Sequence, residues 1–184
     1  MKEVSNKWIR ASSSGIHNQG VFAKINIPKD TYIIEYKGKK LTKKASTKLA
    51  LEWEEEAREK GEANEGLVYI FELNKRYDID GNYPDNVARL INHSCDDSCE
   101  SVIYDGGIWI VATRDIKKGD ELSYDYGFDM SHFIDHPCLC GSDNCLGYIV
   151  SKDQRKKVRK YLVKHKTPKK AWKALSKKLE SKGK

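Results

Sequence analysis

Asn92-His93-Ser94-Cys95 is the stretch on which the reading of this chain turns. About thirty residues on stands Ser123-Tyr124-Asp125-Tyr126-Gly127, and after it Cys138-Leu139-Cys140 and Cys145. The last three cysteines fall within eight residues, on a stretch that also holds Gly141 and Gly147. A structural zinc ion takes four ligands in a closed tetrahedron and favours thiolate donors. Three such donors are present here, so a fourth has to come from elsewhere in the chain. Only Cys95 and Cys99 remain. The plain alternatives are unliganded thiols or a Cys138–Cys140 disulfide, which so close a spacing would strain. An odd total of five cysteines argues against a disulfide framework and for thiols kept reduced.

The 184 residues can hold one domain with a proper core plus an appendage. No stretch approaches the roughly 20 apolar residues of a membrane span, and Met1-Lys2-Glu3-Val4 opens no signal-peptide pattern. The expectation is a soluble intracellular protein with no membrane partner. The net charge of +7 hides an asymmetry. Lys152 to Lys184 carries 15 Lys and Arg against Asp153 and Glu180, a net of +13. Residues 1–151 hold 19 basic and 25 acidic groups, a net of −6. An acidic body attracts a basic protein substrate, while a basic tail attracts DNA or another polyanion. A solvated, solubilising helix is the bland reading of the same tail.

Along the chain, Gly20 to Ala23, Thr31 to Tyr36 and Leu67 to Leu73 are β-branched and aromatic runs that read as strands. Between the last two, Leu49, Trp53 and Ala57 recur at helical spacing, with Thr42 as cap and Gly61 as stop. Val87 to Asn92 reads as a short helix or turn. Ser101 to Tyr104 and Ile108 to Ala112 form a hairpin around Asp105-Gly106-Gly107. A further strand spans Leu122 to Tyr126, and helices cover Asp153 to His165 and Pro168 to Glu180. Ala23-(x)3-Ile27-Pro28-Lys29 and Ala112-(x)3-Ile116-Lys117-Lys118 echo one another, which reads as one strand-turn-strand solution used twice.

Taken in order, Asn92-His93-Ser94-Cys95, Ser123 to Gly127 and the cysteine cluster resemble the SET-domain protein lysine methyltransferases. The resemblance covers about residues 7 to 150. It implies a mainly β fold with short helices, in which small sheets surround a pseudoknot. The SET core would span 7–129, a post-SET zinc segment 130–150, and a basic helical tail 151–184. It picks Cys95 as the fourth ligand beside Cys138, Cys140 and Cys145, with Cys99 left as a buried, inert thiol. A four-thiolate shell leaves no open position, so such a zinc would build the site and take no part in chemistry.

Methyl transfer from S-adenosylmethionine to lysine needs few protein groups, because the sulfonium is already activated. The enzyme has to align nucleophile, methyl and leaving sulfur and keep water out. A narrow aromatic channel helps keep the lysine neutral. By resemblance Tyr126 is the catalytic tyrosine, Tyr69 lines the lysine channel, and Arg89 meets the donor's carboxylate. Asn92 and His93 contact the adenosine and methionine portions, His93 mainly through its backbone. His17-Asn18-Gln19-Gly20 matches the cofactor loop, where Gly20 permits close approach. Leu146-Gly147-Tyr148 resembles the lid over the adenine.

Asn18 stands where many members have glycine, a change that left-handed backbone at Asn would accommodate. Asp97-Ser98 and Leu90 also depart from common choices. No cysteine-rich segment precedes the core, so a minimal enzyme is expected. Tyr124, two residues before Tyr126, would share its face on a strand. Tyrosine at that position resembles the members that stop at mono- or dimethylation. Histones, or lysine-rich nucleoid proteins in a prokaryote, are the natural substrates. The location would be nucleus and chromatin, or cytoplasm and nucleoid, accordingly. The competing classes are a catalytically silent SET module and a nucleic-acid-binding protein with a structural zinc site.

Overall fold

A computed structural model of the chain describes residues 6–60, 69–130, 133 and 136–164. Two compact units divide it: Met1–Asn92 with Asp97–Tyr124, and His93–Asp96 with Asp125–Lys184. Among the described residues no helix is long and apolar enough to cross a membrane.

The first unit is built from β1 (Ile9–Ser13), β2 (Gln19–Ala23), β3 (Tyr32–Glu35), β4 (Lys39–Thr42), α1 (Lys43–Lys60), β5 (Ile70–Glu72) and β6 (Tyr77–Asp80). A 3-10 turn at Val87–Leu90 leads into β7 (Asn92–His93), then β8 (Cys99–Tyr104), β9 (Gly107–Ala112) and β10 (Glu121–Tyr124). The larger sheet runs β1-β2-β10-β8-β9-β3, and a smaller one runs β4-β6-β5. Strand β10 lies parallel to β8 with Tyr124 opposite Cys99, whereas β1–β2, β2–β10, β8–β9 and β3–β9 are antiparallel. Val21, Ile110, Ala112 and Leu122 on these inner strands are fully buried or nearly so. Burying a Val, Leu or Ile side chain contributes about 1.5–3 kcal/mol.

The β8–β9 hairpin closes on Asp105 and Gly106, both left-handed at φ 48° and 73°. Two positive φ values in a two-residue loop match the right-handed twist of the flanking strands, and glycine takes one of them without steric cost. The two echoing segments turn out to pair with each other. Ile27 and Ile116 exchange both backbone hydrogen bonds, at 2.8 and 2.9 Å. The Asn26 side chain accepts from the Lys118 amide and the Asp115 side chain from the Lys29 amide, each at 2.8 Å. The repetition therefore encodes a local two-fold arrangement of two turns, each capping the other.

Thr42 caps α1 as expected, accepting from the Ala45 amide at 3.3 Å. Helix α1 is fastened to the small sheet by Lys43, whose ammonium reaches Asp78 at 2.6 Å and Glu72 at 2.7 Å, and by the Ser46 hydroxyl on Asp78. Strand β10 ends at Tyr124, two residues earlier than the sequence pattern suggested. The period-two argument for Tyr124 and Tyr126 sharing a strand face consequently does not hold. The reason is local: Asp125 turns the backbone by accepting from the Gly127 amide at 3.0 Å, and Gly127 is left-handed at φ 70°.

In the second unit α2 (Arg155–Lys164) packs the fully buried Val158 against Phe133 and Val150, with Met130, Leu146, Tyr148 and Leu162 around them. Gln154 fixes the start of α2, its amide side chain accepting from the Met130 amide (2.9 Å) and donating to Asp129 (3.0 Å). The cysteine loop is closed by a short ladder in which Cys138 N donates to Gly147 O at 3.0 Å and Ile149 N to His136 O at 2.8 Å. The helix expected over Pro168 to Glu180 lies outside the described residues, as do Leu67 and Val68 of the third strand run.

Candidate functional site

In the first unit the loop Ser14–Gly20 is held by one polar knot. Asn92 Nδ2 lies 3.0 Å from Gln19 O, 3.5 Å from His17 O, 3.1 Å from Ser14 Oγ and 2.8 Å from Glu121 Oε1. Ser14 Oγ donates to the same Glu121 oxygen at 2.7 Å and accepts from the Ile16 amide at 2.9 Å. A Cβ on Gly20 would press on that Glu121 carboxylate and on the Ser14 Cβ, so a larger residue here would displace the carboxylate from the knot. Asn18 takes the left-handed backbone anticipated for it, at φ 36°. His17, Asn18 and Gln19 themselves face solvent while their carbonyls are pinned from beneath.

Arg89 projects from the 3-10 turn. Its Nε donates to Tyr83 O at 3.0 Å, and its guanidinium carbon sits 6.0 Å from the Tyr69 ring centroid, an arrangement favourable to a cation. Tyr69 is itself set by its carbonyl, which accepts from Tyr36 OH at 3.0 Å and the Gly81 amide at 2.8 Å. Tyr36 stacks on Phe71 with centroids 4.4 Å apart, and Phe71 meets Tyr124 at 5.6 Å. Tyr124 is 2% exposed, and its ring is part of this aromatic row.

In the second unit His93 is a buried hub. The Tyr126 amide donates to His93 Nδ1 at 3.2 Å, which puts the ring proton on Nε2. Nε2 faces Cys95 Sγ at 3.6 Å, so the imidazole bridges the backbone of Tyr126 and a cysteine sulfur. The Tyr126 ring is half-buried between His93 at 5.4 Å and Phe128 at 6.0 Å. The role carried by the His93 side chain, beyond its backbone, was not foreseen from sequence.

Cys95, Cys138, Cys140 and Cys145 bring their sulfurs within 4.8 Å of one another, with Cys95 and Cys138 at 3.9 Å. A zinc ion bonding four thiolates at about 2.3 Å in a tetrahedron requires sulfurs about 3.8 Å apart, so the four residues fit it. Backbone amides already point at the sulfurs: Cys95 N donates to Cys140 Sγ at 3.4 Å and Gly147 N to Cys145 Sγ at 3.3 Å. Hydrogen bonds from Cys138, then Cys145 and Cys95, hold the Cys140 thiol well below its ordinary range. Cys140 and its neighbours, with burial, push Cys138 up. Cys145 is lowered to about 7, chiefly by Cys138. Cys99 stands apart on β8, fully buried, its thiol pushed up to about 11 by burial. Leu146, expected as a lid residue, is half-buried against the Phe133–Val150–Val158 core.

Four residues of these networks escaped the sequence reading. Ser14 hides in a serine run, Glu121 opens a strand that continues Leu122-Ser123-Tyr124, and Arg155 is one of 15 basic tail residues. Asp125 was within reach, because it lies inside the quoted motif.

The SET domain family matches residues 18–127, and the chain belongs to that family. Similar proteins include the histone-lysine N-methyltransferase, H3 lysine-4 specific, of Emericella nidulans, 36% identical over 78% of this chain and 12% of that protein. The protein of the same description from Schizosaccharomyces pombe is 36% identical over 80% of this chain and 16% of its own length. Histone-lysine N-methyltransferase trr of Drosophila melanogaster is 37% identical over 78% and 6%. The chain thus spans at most 16% of the length of these relatives.

Proposed function

We propose that the chain is an S-adenosylmethionine-dependent protein-lysine methyltransferase acting on a basic protein, a histone or a lysine-rich nucleoid protein. The observation that carries this reading is the His93 bridge, which ties the backbone of Tyr126 to a sulfur of a four-cysteine cluster of zinc dimensions. The relatives' description as histone H3 lysine-4 enzymes supports the substrate class. On this reading residues 7–129 form the catalytic part, 130–150 the zinc segment and 151–184 a basic tail, in a protein working at chromatin or the nucleoid.

S-adenosylmethionine supplies, when bound, a methyl group activated on a sulfonium. The rest is alignment and exclusion of water. The Tyr126 phenol orients the incoming amine, and Tyr69 and Tyr124 line its approach. Arg89 receives the donor's carboxylate, while the pinned loop His17–Gly20, Asn92, His93 and Leu146 surround the remainder. Zinc held by Cys95, Cys138, Cys140 and Cys145 keeps the second unit folded and has no open position for chemistry.

The tail's exposed Lys156, Lys157, Arg159, Lys160 and Lys164 on α2 form a surface for DNA or another polyanion. Removing one phosphate-neutralising side chain should flatten the salt dependence by about 0.9 in log–log slope. Because α2 also buries Val158, these five residues are better changed to glutamine than removed by truncation.

Incubation with labelled S-adenosylmethionine and a histone or lysate panel tests the activity. Methyl transfer to a basic protein is expected, with turnover largely lost in Tyr126→Phe while cofactor affinity stays near the native value. Absence of transfer to every basic protein, or near-normal turnover in Tyr126→Phe, defeats the reading.

A further inference from the structure

Arg155 opens α2 inside the basic run that composition marks as a polyanion surface, yet it is turned inward, its side chain 14% exposed. Nη1 donates to the Cys95 carbonyl at 2.7 Å, Nε to the Val150 carbonyl at 3.3 Å, and Nη2 lies 3.5 Å from Asp125 Oδ2. These acceptors come from three separate stretches: a metal-ligand segment, the strand of chain leaving the cysteine loop, and the Ser-Tyr-Asp-Tyr-Gly motif. Asn144 Nδ2 reinforces the first by donating to the Cys95 carbonyl at 3.1 Å, and the Lys152 amide the third by donating to Asp125 Oδ2 at 2.8 Å. The other Asp125 oxygen accepts from the Gly127 amide, so this one carboxylate ties the turn at Tyr126 to the chain at Lys152.

We propose that Arg155 is a positioning residue that locks the Cys95 ligand and the Asp125-Tyr126-Gly127 turn into one fixed arrangement. The residue type fits the task. A guanidinium presents five donors in a rigid planar fork and can meet two carbonyls and a carboxylate together, whereas an ammonium is a single point. Withdrawing that charge from water is costly unless its donors are paired, and an arginine kept for solubility would leave its head group in solvent. Lys156, Lys157 and Arg159, the next charged residues on α2, do face solvent. The His93 bridge already links Cys95 to Tyr126, and Arg155 adds a second tie from beyond the last cysteine. The segment following the zinc loop is thereby part of the machinery that sets Tyr126, separate from any contact its outer face makes with a polyanion.

The test uses the full chain with Arg155→Ala, Arg155→Lys and, as a control on the exposed face of α2, Val163→Ala. Zinc release to a chromophoric chelator is followed alongside kcat and KM on a basic protein. The kcat arm rests on the methyltransferase reading; the zinc arm does not. Arg155→Ala should release zinc and lose kcat by roughly 10- to 100-fold each, the range for groups supporting a metal ligand. Arg155→Lys should fall short of native on both counts, and Val163→Ala should match it. Methylguanidinium added to Arg155→Ala should restore part of both properties and do nothing for Val163→Ala. Native zinc retention and kcat in folded Arg155→Ala overturn the proposal, as does a native chain that binds no zinc. A faster zinc loss with native kcat per zinc-loaded molecule also overturns it, leaving a structural brace only. Should Arg155→Ala unfold by circular dichroism, Arg155→Lys decides, and native zinc release from it sinks the idea. If the native chain transfers no methyl, the activity reading fails while the zinc arm still stands: native zinc release from Arg155→Ala overturns the lock, and faster release reversed by methylguanidinium supports its Cys95 half.

Discussion

Replacing Glu121 with alanine should weaken cofactor binding although Glu121 itself is not among the residues that meet the cofactor; it acts through Asn92 and the loop. Its Oε1 accepts from Ser14 Oγ at 2.7 Å and from Asn92 Nδ2 at 2.8 Å, and these two bonds gather the loop that Asn92 also holds through the Gln19 carbonyl. A hydrogen bond to a charged acceptor contributes about 1.5–3 kcal/mol. Glu121 is half-buried, the Asn92–Gln19 bond survives and both bonds share one acceptor oxygen, so the pair together is discounted to about 2 kcal/mol, below the sum of two independent bonds. At 1.4 kcal/mol per decade that is about 30-fold in affinity. Glu121→Gln keeps an oxygen able to accept both bonds and loses only the charge, so about fivefold is expected. Calorimetric titration with S-adenosylhomocysteine on folded, zinc-replete protein gives the numbers. An Ala variant within twofold of native, or a Gln variant as weak as Ala, would refute the view that this carboxylate orders the loop.

Cys138→Ser should strip the zinc and loosen the second unit, because metal binding and local folding are coupled; full zinc content in the purified variant counts against the four-cysteine assignment. Tyr124→Phe should move the product toward a higher methylation state from mainly mono- and dimethyl-lysine, since losing the hydroxyl frees space beside the amine; mass spectrometry of a peptide product showing no shift, or trimethyl-lysine already dominant in the native chain, rules this out. Cys99, raised from 9.0 to about 11 by burial, binds its proton more tightly folded than unfolded. Its contribution is therefore intact below pH 9 and lost as pH rises toward 11, about 2–3 kcal/mol in all. Cys99→Ala should flatten the fall in urea-unfolding stability over that window, and an unchanged slope would contradict the sign.

What could be read from sequence was what depends on residue type and short spacing. Thiols at Cys138, Cys140 and Cys145 mark a candidate metal site through their chemistry, wherever a fourth ligand lies. The Thr42 cap, the Asp105-Gly106 turn and left-handed Asn18 follow from backbone preferences of single residues. The echo of Ala23–Lys29 in Ala112–Lys118 was visible as text, although its meaning, two turns capping each other through Asn26 and Asp115, was not. Strand β10 was drawn two residues too long because apolar periodicity says nothing of a carboxylate that bends its own backbone.

The sequence by itself determined the family, the cysteines that could hold a metal and the candidate tyrosines, because these rest on which groups are present and in what order. Only the tertiary structure decided which polar groups hold them. Glu121 and Ser14 stand 107 residues apart, and Arg155 reaches Cys95 across 60. A hydrogen bond has no signature in either partner's neighbourhood, since its strength depends on distance, direction and burial that exist only after the chain has folded. The same arginine in water would be one more charge on a basic tail; enclosed against two carbonyls and Asp125, it becomes a fixed part of the site.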